Sequence, residues 1–136
     1  MRQITRTTNQ KSSAIVRILV SLPLLGIGIQ HLIGTAPLEP ILRGAGIPFP
    51  ELNNVIGTGA EILAGALLIT GFFARAGAAL TIPTMAMALY AHAVYDWADE
   101  PPVILPIALI LGSLYVIWKG AGAWSLDLRN SKKTAA

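Results

Sequence analysis

Cysteine is absent from the 136 residues, which excludes disulfides, thiol catalysis, iron–sulfur clusters and cysteine zinc sites. The same absence leaves the redox compartment open. Charge is scarce too. Only 12% of residues are charged, against roughly a quarter in an ordinary soluble domain. No HExxH occurs and no two histidines stand at i, i+4, so no helix carries a ready-made zinc motif. There is no long internal repeat or low-complexity tract, and the length suits one domain rather than a membrane unit plus a soluble one.

The net charge of +3 does not point to nucleic acid. Such binding gathers basic residues on one face among aromatic or polar readers. Here they flank apolar runs, where anchoring at a membrane surface accounts for them. No nucleic-acid partner is expected.

Apolar residues are abundant, at 54%. A spanning helix needs about 20 of them, because the hydrocarbon core is about 30 Å thick and each residue rises about 1.5 Å. Four runs qualify by pattern, over about residues 14–33, 55–73, 76–95 and 103–118. The last is short, which a thin bilayer or snorkelling flanks would accommodate. The segment 34–54 holds Pro37, Pro40, Pro48 and Pro50 and predicts an ordered re-entrant or surface loop. Pro23, Pro83 and Pro106 lie inside apolar runs, where each is expected to bend its helix and free a carbonyl. The first run is read as a retained span rather than a cleaved signal peptide, because it is long for one and three further spans follow. The fold class is therefore all-α, a membrane-embedded four-helix bundle over residues 14–128. Residues 1–13 are expected to be a mobile cytoplasmic tail, and 129–136 a basic cytoplasmic tail whose last half-dozen residues are mobile.

Orientation follows from lysine and arginine. Arg2, Arg6, Lys11, Arg17, Arg75, Lys119, Arg129, Lys132 and Lys133 fall on one side of the four-span scheme, and only Arg43 on the other. Glu39, Glu51, Asp96, Asp99 and Glu100 lie on the side poor in basic residues. Both termini are expected in the cytoplasm. Trp118 and Trp124 at the inner boundary and Trp97 at the outer one read as an aromatic belt.

Polar residues within the runs need a reason, because a central charge costs about 2.5–3.5 kcal/mol on insertion scales. Glu61 has Gly57 at i−4 and Gly65 at i+4, a face on which a neighbouring backbone can approach closely. It reads either as a proton-carrying or ligand-binding carboxylate or as a structural hydrogen-bonding anchor. Its expected depth is roughly 10 Å from the outer end of its helix. Gln30 and His31 close the first run, and His92 lies near the outer end of the third with Tyr90 and Tyr95 beside it. Two histidines and a glutamate from three helices suit a metal, a quinone headgroup or a proton, or are satisfied interfacial side chains. Arg17 opens the first helix and is expected to snorkel to headgroups rather than pair with Glu61.

Several stretches together resemble the DoxX family of bacterial and archaeal membrane proteins. They are Arg17, Gly26-x-Gly28…His31, Gly57-x-Gly59-Ala-Glu61-Ile-Leu-Ala-Gly65, Gly71-Phe-Phe-Ala-Arg75 and the closing Gly120-Ala-Gly-Ala-Trp124-Ser125-Leu126-Asp127. The last is similar to the family's GPG-x-x-SLD pattern, with Ala121 in place of the usual proline. His31 stands where many relatives carry lysine. The resemblance implies a multipass subunit linked to quinone-coupled or oxidative-stress oxidoreductase systems in a bacterial or archaeal cytoplasmic membrane. It implies a non-catalytic subunit rather than a stand-alone enzyme. Partners would be the lipid bilayer, membrane or peripheral oxidoreductase subunits, and further copies of the chain as a homo-oligomer. Alternatives are a small oligomeric transporter or proton-coupled channel gated by Glu61, and a purely structural bundle.

Overall fold

The computed structural model describes residues 7–97 and 102–135, with the side chains of 132–135 left aside. The described residues are helical without strands, in the order α1 (Lys11–Ile33), α2 (Leu38–Gly44), α3 (Pro50–Thr70), α4 (Ala74–Val94), α5 (Ile104–Lys119) and α6 (Leu126–Ala135). Helices α1, α3 and α4 are long and apolar enough to cross a membrane, and α5 is a shorter apolar helix of 16 residues. Neighbours pack in a closed cycle α1–α3–α4–α5–α1. The protein is an all-helical membrane bundle. The four apolar helices α1, α3, α4 and α5 bring the start of α1 and the end of α5 to one end of the bundle, here called the terminal end. α2 caps the opposite, far end.

Several boundaries differ from the sequence reading for local reasons. α3 starts at Pro50, five residues early, because proline is tolerated in a first turn whose N–H groups lack partners. Glu61 therefore lies near the midpoint of this 21-residue helix rather than close to one end. Pro106 falls in the first turn of α5, where no intrahelical hydrogen bond is lost, so the bend expected there has no cause. Pro23 and Pro83 do lie inside their helices. Within the expected loop, residues 38–44 form α2, whose Leu42 packs with Ala45, Ile47 and Ala91 in a small second core. The C-terminal residues 126–135, which take in most of the basic tail, form the helix α6, with the Ser125 hydroxyl accepting the Leu128 N–H at 3.1 Å as its cap. At the other end α1 already begins at Lys11, and residues 1–6, with Arg2 and Arg6, lie outside the described residues, as do Asp99 and Glu100.

Close helix approach depends on small residues. A Cβ on Gly65 would fall 2.5 Å from Leu25 Cγ, and one on Gly28 would fall 2.9 Å from Ile62 Cγ1. These two glycines set the α1–α3 spacing. The main core, with Val20, Leu24, Ala64, Leu68, Ala78, Leu109 and Val116 fully or almost fully buried, fills the axis toward the terminal end.

Below that core lies a clasp built from residues far apart in sequence. Arg17 is only 1% exposed and does not snorkel. Its Nε donates to Ala121 O at 3.0 Å and its Nη1 to Ile69 O at 2.8 Å, with a further bond from Nη1 to Leu68 O. Leu68 and Ile69 are in the last turn of α3, where carbonyls run out of helical donors, although Leu68 O also accepts the Gly71 N–H at 3.1 Å; Ala121 lies in the turn after α5. The expectation failed because hydropathy registers a charge near a helix end but not the unpaired carbonyls of two other segments beside it. Asp127 does the converse for α4, its two oxygens accepting from Phe73 N at 2.9 Å and Ala74 N at 3.1 Å. Burial raises the Asp127 carboxyl above its ordinary range, against these bonds and the charges of Arg17 and Arg75. Gly71 at φ 65° and Gly122 at φ 77° are required, since a Cβ would meet Ser125 Cβ at 2.5 Å or Ala14 N at 2.6 Å.

Candidate functional site

Toward the far end the bundle opens into a cavity of about 610 Å³ between α1, α3, α4 and the start of α5, with α2 along it. Its wall is mainly aliphatic, from Ile27, Ile56, Leu80, Met85, Met87 and Leu105 among others. Small residues create the space: Gly57 and Ala60 on α3 and Ala88 and Ala91 on α4 leave room where larger side chains would fill it. Pro83 and Pro106 also line it.

A few polar groups converge on this apolar wall. His31, in the last turn of α1, and Glu61, at the middle of α3, meet with Nδ1 and Oε2 2.8 Å apart. Their side chains are 11% and 7% exposed, so the pair is largely withdrawn from solvent. It shares one proton whichever partner formally carries it, and can accept a proton from or return one to a ligand oxygen. His92 lines the same cavity from α4, its Nδ1 bonded to Ala88 O at 2.7 Å and its Nε2 buried without a partner. Trp97, just beyond α4, contributes a second buried and unpartnered nitrogen, Nε1. Its ring lies 5.2 Å from that of His92 and 4.8 Å from that of Tyr95, centroid to centroid.

The sequence candidates thus divide. His31, Glu61 and His92 share one cavity, with Gly57 on its wall. Gln30 is exposed at the end of α1, where its carbonyl accepts from Thr35 and Ala36, and it does not line the cavity. Tyr90 is 50% exposed with its hydroxyl 3.5 Å from Ala45 O, on the outside of the bundle. Gly65 serves helix packing, whereas Gly57 has only an ordinary contact with Leu38 and contributes space. Arg17 belongs to the clasp and does not meet Glu61. Among the described residues no three His, Cys, Asp or Glu side chains gather closely enough to hold a metal ion. Trp97 is a cavity residue that the sequence did not reveal, because a tryptophan at a boundary reads as interfacial until the fold shows its ring in the cavity wall.

A membrane bundle closed at one end and hollow at the other, with a carboxylate–imidazole pair in the hollow, defines a polytopic membrane protein with an internal ligand-sized cavity. The chain belongs to the DoxX family, whose model matches residues 12–93 and so covers α1 to α4 up to the end of the cavity wall on α4. An uncharacterized membrane protein of Mycobacterium tuberculosis, Rv3486, is 28% identical over 138 residues, spanning 89% of this chain and 82% of its own. No solved structure matches the chain.

Proposed function

We propose that the protein is a membrane accessory subunit that holds a lipid-soluble small molecule of the quinone class in its cavity and serves a partner oxidoreductase. The observation that carries this reading is the His31–Glu61 pair set in an otherwise apolar cavity of about 610 Å³. That size falls within the several-hundred-Å³ range of small-molecule sites, which pair apolar walls with a few placed polar groups. A ring oxygen beside the pair gains a proton donor or acceptor that the lipid phase itself cannot supply. The chain then has a binding role, and the redox chemistry belongs to the partner, as DoxX membership suggests. The basic terminal end faces the cytoplasm of a bacterial or archaeal cell, which puts the cavity in the outer half of the cytoplasmic membrane.

A carrier or channel would need a path through the terminal half, where Leu24, Leu68 and Val116 are buried on the axis and Arg17 joins the helix ends. No observation favours it. Extraction in mild detergent followed by mass spectrometry of the organic extract tests the binding role. A quinone-class molecule should accompany the wild type and be lost or strongly reduced in Glu61→Gln. Its absence from well-folded wild-type protein would overturn the reading.

A further inference from the structure

We infer that His92 and Trp97 together form a recognition point for a hydroxyl group, so that the cavity selects a ring carrying hydroxyls over the same ring carrying carbonyls. This deepens the proposed binding role and rests on it. His92 Nδ1 lies 2.7 Å from Ala88 O, and a carbonyl oxygen only accepts, so Nδ1 carries the hydrogen. In the neutral ring Nε2 is then a lone-pair acceptor. Trp97 Nε1 is a donor and nothing else. Both nitrogens are buried without a partner in the wall of one cavity, on rings 5.2 Å apart. Orphaned buried polar atoms are costly, and two in one wall point to the cavity's occupant as the missing partner.

One hydroxyl satisfies both, its hydrogen going to His92 Nε2 and its oxygen receiving the Trp97 N–H. A carbonyl or ether oxygen accepts only. It satisfies Trp97 and leaves His92 Nε2 unpaired, and a site built for a hydroxyl rejects the analogue lacking it for that reason. The His31–Glu61 pair, on α1 and α3, offers a second polar point apart from α4. A ring with hydroxyls at opposite ends matches two such points.

The test is calorimetric titration of the full-length protein in detergent micelles with three probes. These are a decyl-substituted 1,4-benzohydroquinone under argon, the matching benzoquinone, and the 1,4-dimethoxy ether of the same ring. The hydroquinone is expected to bind at least about 5-fold tighter than either other probe, as one net hydrogen bond of about 1 kcal/mol implies. His92→Phe should weaken the hydroquinone by about that factor and leave the quinone within about twofold, whereas Trp97→Phe should weaken both. Equal binding of the three probes by the wild type, or a preference that survives in a folded His92→Phe, overturns the inference and leaves the cavity reading standing. Binding of none of them to wild-type protein overturns both. The wild-type comparison decides even if a variant fails to fold.

Discussion

Glu61 Oε2 lies 2.8 Å from His31 Nδ1, which ties the middle of α3 to the last turn of α1 within a wall that is otherwise apolar. In a bilayer neither side chain has water to turn to, so the pair is both a cross-brace and the most reactive feature of the cavity. Truncating one partner leaves the other buried and unpaired, at about 1–3 kcal/mol. Glu61→Ala and His31→Ala should therefore each lower stability by that amount in micelles. The double variant should cost less than the two added together. Strictly additive losses in denaturant titrations would mean that the two do not interact.

Arg17 should matter more than Glu61 for folding. It satisfies the carbonyls of Ile69 and Ala121 and shares that of Leu68 with the Gly71 N–H, so its removal orphans two acceptors at once. With about 1 kcal/mol or more for each buried unpaired acceptor, Arg17→Leu should lose at least about 2 kcal/mol or fail to accumulate. Arg17→Lys should recover only part, because an ammonium has no planar fork to reach separate carbonyls. A thermal midpoint within a few degrees of wild type for Arg17→Leu would refute the clasp.

Asp127 supplies a pH dependence with a definite sign. Burial raises its carboxyl above the ordinary value, so the folded state prefers the protonated form. The stability this group contributes is complete below its unfolded pKa, near 4, and is lost as pH rises through the higher folded value. Asp127→Asn removes the titration while keeping one acceptor oxygen for the Phe73 or Ala74 N–H. The wild type should therefore lose stability relative to Asp127→Asn as pH is raised from about 4. A difference in thermal midpoint that stays flat, or grows in favour of wild type, would contradict the assignment.

The cysteine-free sequence makes the orientation directly measurable. Asn130→Cys in α6 and Pro40→Cys in α2 are both exposed positions on opposite ends of the bundle. In whole cells a membrane-impermeant maleimide should label the Pro40 variant and reach the Asn130 variant only after permeabilisation. The reverse pattern would invert the topology and move the cavity to the cytoplasmic half.

Much of this protein was determined by sequence alone, because a bilayer imposes a one-dimensional rule. Apolar runs of sufficient length must become helices, since no other local structure satisfies the backbone in lipid. That rule sufficed for three long apolar helices and a shorter fourth, and so for the shared end at which α1 starts and α5 stops. It also singled out Glu61, His31 and His92, because polar groups in such runs need a cause. Tertiary structure alone decided what those residues touch. The position of α3 against α1, set by Gly28 and Gly65, brings Glu61 to His31 and leaves Gln30, one residue before it, facing outward. The same packing turned Trp97 from an interfacial belt into a wall of the cavity. It also withdrew Arg17 from the headgroups to the carbonyls at the end of α3. Periodicity cannot foresee such meetings, because each joins segments tens of residues apart whose unpaired groups become neighbours only when the bundle closes.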